Sequence, residues 1–196
     1  MPYPTPPDKR DACIAAALPW RLALATAGLF AALAAPAFWT ASPGLPFIVP
    51  TLLLGAVLIW LSVIDIGSYR LPDALTLPLL AAGLAFSYLF QWDDLRWRVA
   101  ASALGFGLLY AVAWFYFKLR GRYGLGLGDA KLLAASGAWL GVEGVPATLL
   151  LASCSALCAA LVSAFAGRPV AADTRMPFGP FLALGTWLTW LYGPLV

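Results

Sequence analysis

Charge and histidine are what this sequence has least of. Asp, Glu, Lys and Arg make up 11% of the 196 residues, and histidine is absent from the chain. In soluble domains about a quarter of the residues are charged. The low charged fraction, together with an apolar fraction of 62%, predicts that this chain lies in a lipid membrane. The missing histidine excludes Ser-His-Asp and Cys-His catalysis and HExxH metal sites. The net charge of +3 is too small to indicate a nucleic-acid partner.

Cysteine and the common ligand-binding motifs are scarce too. The three cysteines are Cys13, Cys154 and Cys158, and without a CxxC pair neither a zinc ribbon nor a thioredoxin-like site is predicted. Cys154 and Cys158 share one helix face, where we interpret them as small packing residues. The glycine-rich stretch GLGLGDAK meets neither the GxxxxGK[ST] nor the GxGxxG pattern of nucleotide sites. We therefore expect no metal and no cofactor.

The sequence does contain long apolar runs. Seven runs are candidate membrane crossings, at about twenty residues per crossing; they cover residues 22–41, 47–64, 74–90, 99–117, 130–140, 147–166 and 178–195. The fold class that we predict is therefore all-α, a polytopic transmembrane bundle of about seven spans, of which the fifth is short. A cleaved signal peptide is the alternative for the first run, although that run exceeds the usual ~7–15 apolar residues of such a signal.

The basic residues predict how the bundle sits in the membrane. Ten of the twelve lysines and arginines fall beside span ends on one side, whereas Arg96 and Arg98 fall on the other. Because lysine and arginine mark the cytoplasmic face, the amino terminus is predicted to be cytoplasmic. The ten are Lys9, Arg10, Arg21, Arg70, Lys118, Arg120, Arg122, Lys131, Arg168 and Arg175.

Three of the nine acidic residues lie where apolar runs begin or end on that same side, namely Asp65, Asp73 and Asp129. Asp73 follows Leu71-Pro72 and precedes a span, which favours a helix N-cap. Asp65 ends an apolar run, where the helix macrodipole disfavours an anion. Asp129 also precedes a helix, so capping is one interpretation of it. However, the three glycines before it are more than a cap requires, and glycines let backbone come close to another segment; they are Gly124, Gly126 and Gly128.

Asp65 and Asp129 therefore form a candidate carboxylate pair at one depth on two helices. Two such carboxyl groups cannot both ionise when they are close, so one keeps its proton. One could then activate water while the other protonates a peptide carbonyl, which is hydrolysis without histidine or metal. The structural alternative, which spacing alone leaves open, is that Asp65 pairs with Arg70 and Asp129 with Lys131.

Three stretches resemble the type IV prepilin peptidase family of GxGD membrane aspartyl proteases. They are IDIGSYRLPD, GLGDAKLLAASGAWLG and MPFGPFLALG, and their order and spacing agree with that family. The resemblance implies that Asp65 and Asp129 are catalytic. It places Gly126 and Gly128 in the GxGD loop, with Lys131 as its lysine, and Pro72 and Asp73 in the LPD motif. By this likeness residues 47–196 form a six-helix core, and residues 21–46 form an extra helix with a short outer loop outside it. Residues 1–20 are predicted to be a disordered cytoplasmic tail, because this segment begins with a Pro-rich, polar stretch.

The resemblance also implies a function. Such enzymes remove the basic leader of prepilins and pseudopilins at the cytoplasmic face of the bacterial inner membrane. Many members carry a cytoplasmic insert with paired CxxC motifs and also methylate the new amino terminus. This sequence resembles the short form without that insert, so we expect cleavage without methylation. Two alternatives remain open: an ion-coupled transporter that uses the paired aspartates, and a catalytically silent scaffold of a pilus or secretion system.

Overall fold

The computed structural model describes residues 22–37, 45–90, 95–121, 126–165 and 177–194. Within these ranges the chain forms seven α-helices and no strand, which confirms the predicted all-α class. The helices are α1 (Leu22–Ala37), α2 (Leu45–Ser68), α3 (Asp73–Phe90), α4 (Leu95–Arg120), α5 (Leu127–Leu140), α6 (Gly144–Phe165) and α7 (Gly179–Tyr192). The predicted tail, Gly124 and the basic residues at 9, 10, 21, 122, 168 and 175 lie outside the described residues.

Four of the described helices, α2, α3, α4 and α6, are long and apolar enough to cross a membrane. The bundle is therefore that of a multi-pass membrane protein. Which of its faces is cytoplasmic stays a prediction from the basic residues.

The short fifth run is the inner helix of the bundle. α5 packs against α3, α4, α6 and α7, and ten of its 14 residues are buried. At about 1.5 Å per residue such a helix is roughly 21 Å long, which is less than the hydrocarbon thickness of a bilayer. A helix that is apolar all round is one that the rest of the protein surrounds, and this explains why the segment of α5 from residue 132 to residue 140 carries no charged side chain.

The expected packing role of the two cysteines in α6 is wrong. Cys154 and Cys158 are exposed, because the buried residues of α6 end at Ala152. The second half of the helix therefore presents apolar side chains to its surroundings.

A side-chain contact fixes the register of α5 against α7. The buried hydroxyl groups of Ser136 and Thr186 are 2.6 Å apart. Ser136 is seven residues after Asp129 in α5, and Thr186 is seven residues after Gly179 in α7. Trp139 and Trp190, which lie further along α5 and α7, are also in contact, so the two helices run in the same direction. Asp129 and Gly179 therefore lie at the same level of the bundle.

Candidate active site

Asp65 lies in the last turn of α2 and is only 4% exposed. The helix ends at Ser68. The next residue is Tyr69, whose N–H donates to the Asp65 carbonyl oxygen over 2.8 Å and whose φ is 52°. A left-handed residue is a common way to end a helix, and glycine usually takes that place. For a tyrosine this backbone costs roughly 1–2 kcal/mol, and such strain concentrates at functional sites.

The start of α7 holds the Asp65 carboxylate. The Gly179 N–H donates to Asp65 Oδ2 over 3.0 Å. A Cβ added at Gly179 would lie 2.7 Å from the same oxygen, so this approach requires glycine. Sequence reasoning used the segment PFGP only as a family likeness and did not find this contact. Its only signal was a glycine between Phe178 and Pro180.

Asp129 lies in the first turn of α5 and is 7% exposed. The N-cap of this helix is Gly126, whose backbone is extended at φ −77° and ψ 142°. The Asp129 N–H donates to the Gly126 carbonyl oxygen over 3.2 Å, and the Gly126 backbone hydrogen-bonds the Asp129 carboxylate in return. Asp129 is therefore not the cap itself but the third residue of the helix, which reaches back to the cap as in a capping box.

The two aspartates meet at one cavity. Ser136 and Thr186 place Asp129 level with Gly179, and Gly179 contacts Asp65. Both carboxylates line a cavity of about 260 Å³. Its other walls come from the turn between α2 and α3 and from the start of α5: Tyr69, Arg70, Leu71, Gly126, Leu127 and Gly128. The structure thus brings together the two residues that the sequence paired.

The proton affinity of Asp129 is shifted. This residue lies outside the four helices that are long enough to span. Burial, and secondarily the nearby Asp65 carboxylate, raise the pKa of Asp129 to about 7, against a smaller lowering effect of the Gly126 hydrogen bond. A carboxyl group with this pKa can hold a proton near neutral pH and donate it to a substrate.

Lys131 pairs with Asp73 and not with Asp129, the partner that the sequence left open as an alternative. Its Nζ lies 2.6 Å from Asp73 Oδ1, and this ion pair joins the start of α3 to the first turns of α5. In the ranges given above, no ion pair involves Asp65 or Asp129. Asp73 also does not cap α3, since the Pro72 carbonyl oxygen accepts the first backbone hydrogen bonds of that helix while the Asp73 carboxylate binds Lys131.

Gly128 allows the start of α5 to approach the turn after α2. A Cβ at this position would lie 2.8 Å from the Leu71 Cβ. The two described glycines of the GxGD stretch thus have separate roles: Gly126 caps the helix, and Gly128 permits close contact with the neighbouring turn.

Metal ligands are not clustered in the described part of the chain. No group there of three or more His, Cys, Asp or Glu side chains could hold a metal ion. The expectation of a metal-free site stays a prediction.

Comparison with known proteins places these residues in a family. The model of the type IV leader peptidase family matches residues 52–161, a range that includes both aspartates. Proteins named prepilin leader peptidase/N-methyltransferase are similar. The one from Burkholderia pseudomallei (strain 1026b) is 42% identical over 140 residues, 71% of this chain and 45% of that protein. The one from Escherichia coli (strain K12) is 43% identical over 136 residues, 67% of this chain and 60% of that protein.

A third relative of the same name, from Aeromonas hydrophila, is 42% identical over 148 residues, 72% of this chain and 49% of that protein. The chain thus spans about half the length of the curated relatives that it matches. No solved structure matches it.

Proposed function

We propose that this chain, which belongs to the type IV leader peptidase family, is an aspartic endopeptidase that removes the basic leader of prepilins or pseudopilins. The observation that carries the proposal is that two buried aspartates from different helices line one cavity. The names of the relatives support the substrate class. The clustered basic residues support placing the reaction at the cytoplasmic face of a bacterial inner membrane.

The two carboxyl groups have different roles in the proposed reaction. Asp65 is the base, because Asp129 is the partner that keeps its proton near neutral pH and the Gly179 N–H orients the Asp65 carboxylate by donating to it. It takes a proton from a water molecule, whose oxygen attacks the scissile carbonyl carbon. Asp129, protonated near neutral pH, gives its proton to the carbonyl oxygen. The gem-diol intermediate then collapses: the C–N bond breaks, the leaving amine takes up the proton that Asp65 holds, and one hydroxyl proton of the intermediate returns to Asp129 as the new carbonyl group forms.

The surrounding residues shape the site for an extended peptide. Gly126 and Gly128 present no side chains where they line the cavity, so a substrate backbone can pass close to Asp129. Lys131 and Asp73 join the starts of α3 and α5, and the Pro72 carbonyl oxygen accepts the first backbone hydrogen bonds of α3. These five residues are therefore proposed to shape the loop and bind substrate rather than to react.

The test is co-expression with a tagged prepilin that has a basic leader and a glycine before its apolar helix. Leader removal is measured by gel shift and mass for the wild type, Asp65→Asn and Asp129→Asn. We expect both variants to fold and to lose cleavage, because each removes one half of the acid–base pair. The matched control is Glu143→Gln, an exposed carboxylate in the turn between α5 and α6, which should cleave normally.

Two outcomes would contradict the proposal. One is cleavage by Asp65→Asn or Asp129→Asn at the wild-type rate; the other is a folded wild type that leaves several pilin classes intact. The product mass also tests the prediction that no methyl group is added. No feature of the described residues favours the transporter or the silent scaffold.

A further inference from the structure

A second cavity opens on the side of the bundle between α3 and α4. It has a volume of about 410 Å³, and its walls are almost entirely apolar. We name it the α3–α4 groove. It is lined by Leu77 and Leu80 of α3, Val99, Ser102, Ala103 and Phe106 of α4, and Lys131 and Ala134 of α5.

The groove has the geometry that receives a helix. Its α4 wall is a stripe at positions i, i+3, i+4 and i+7, which is one face of that helix. Ala103 on this wall and Ala134 on the floor are small, and small residues let two helix backbones approach closely in a membrane. An apolar helix lying in such a groove is a recurring mode of peptide recognition.

One face of α5 connects the groove to the catalytic cavity. Leu127, Lys131 and Ala134 follow one another at i, i+4 and i+7, so they lie in one line along the helix. Leu127 lines the catalytic cavity, whereas Lys131 and Ala134 line the groove. Seven residues of helix separate the two ends of this line by roughly 10 Å. A segment in the groove therefore reaches the catalytic cavity when it continues past Lys131.

The continuity of the groove with the catalytic cavity indicates its occupant. A lipid acyl chain would fill the groove alone. A substrate helix in the bilayer continues into the segment that carries the scissile bond, and the line of Leu127, Lys131 and Ala134 leads from the groove to the catalytic cavity.

We propose that the α3–α4 groove binds the apolar, membrane-inserted helix of the substrate and so presents the scissile bond to Asp65 and Asp129. This inference rests on the proposed function and adds a docking site to it. The substrate helix packs on the α4 stripe, and the residues at its end pass over Leu127 into the catalytic cavity. The groove then determines binding of a substrate that is already in the bilayer, while the aspartates determine the chemistry.

The first test compares two tryptophan variants on adjacent faces of α4. Ala103→Trp fills the groove. Leu104→Trp adds the same ring at a side chain that is 58% exposed and outside the groove. With a membrane-inserted tagged prepilin, we expect Ala103→Trp to raise KM roughly tenfold, a loss of about 1.4 kcal/mol of binding free energy, and to leave kcat nearly unchanged. Leu104→Trp should match the wild type. Equal KM values for the two variants would overturn the proposal.

The second test does not depend on turnover. A photo-reactive amino acid replaces Ala103 or Leu104 in the Asp129→Asn chain, which is co-expressed with the same prepilin. We expect an adduct with the apolar helix of the prepilin from position 103 and little from position 104. Equal adducts from both positions, or adducts from position 103 only with lipid or with a second copy of this chain, would overturn the groove assignment. If the wild type leaves the prepilin intact, the proposed function fails instead, whatever the cross-linking shows.

Discussion

The two ends of α5 are built differently. At the carboxyl end, Trp139 is 2% exposed, and its ring centroid lies 5.8 Å from that of Phe86 and 5.5 Å from that of Trp190. Its Nε1–H donates to the Leu79 carbonyl oxygen over 2.9 Å, and Arg98 hydrogen-bonds the Trp139 carbonyl oxygen. At the amino end, α5 borders an open cavity, and its ion pair is partly exposed.

The difference shows how one short helix serves both stability and chemistry. The aromatic end is buried and closely packed, so it fixes where α5 lies and how it is rotated. The aspartate end borders a cavity, so a peptide can reach it. A precise site needs rigid support, and here the support lies at the opposite end of the helix from Asp129.

Two glycine substitutions separate these roles, with the largest expected effect on activity. In Gly179→Ala the new methyl group meets the Asp65 side chain, which can move but then loses its hydrogen bond. We expect cleavage to fall on the order of a hundredfold, as misplacing a catalytic group can do, with little change in unfolding temperature. In Gly137→Ala the methyl group would lie 2.6 Å from the Ala101 carbonyl oxygen. Overpacking against this backbone should cost about 1–3 kcal/mol of stability.

The measurements are the cleavage rate per folded molecule and the unfolding midpoint in detergent. Gly107→Ala is the control, because nothing lies within 4 Å of a Cβ at that position; it should leave the cleavage rate unchanged and should not lower the unfolding midpoint. The comparison between the two ends fails if Gly179→Ala mainly lowers the unfolding midpoint while Gly137→Ala mainly lowers the cleavage rate.

Much of the architecture was predictable from the sequence, and so was the placement of Asp65 and Asp129 at one cavity. Apolar runs gave seven helices because the period and length of such runs are local properties. Asp65 was conspicuous because a helix end disfavours an anion. The sequence did not predict that Gly179 holds Asp65, since the two are 114 positions apart. The alternative that paired Lys131 with nearby Asp129 was wrong, since the fold brings Asp73 within 2.6 Å of Lys131. Contacts between helices depend on register, which a single sequence does not specify.

The raised pKa of Asp129 predicts that the cleavage rate and the stability depend on pH through the amino end of α5 alone. The folded carboxyl group keeps its proton up to about pH 7, whereas the ordinary value is 3.8. Since the proposed mechanism needs this proton, the cleavage rate should fall above pH 7, approaching about tenfold per pH unit. Stability should fall as well while the pH rises from about 4 to 7, because the unfolded chain releases the proton in that range and the folded chain retains it.

A pH–rate profile with tagged prepilin checks the first part, and unfolding midpoints between pH 4 and 8 check the second. Asp129→Asn should remove most of the decline in stability over that range. If Asp129→Asn shows the same decline as the wild type, another group is responsible and Asp129 is not the shifted acid.

The smallest expected effect concerns the ion pair that joins α3 to α5. Asp73→Lys and Lys131→Asp should each lower cleavage several-fold, because like charges would then face each other beside the first turn of α5. The double variant restores an ion pair of opposite polarity and should recover much of the activity. The coupling free energy should be about 0.2–1 kcal/mol, the range for partly exposed pairs. It is measured as a double-mutant cycle on the cleavage rate. If the double variant is as slow as the two single variants combined, then Lys131 acts through its own charge. In that case α5 does not need the ion pair between Lys131 and Asp73 to hold Asp129 in place.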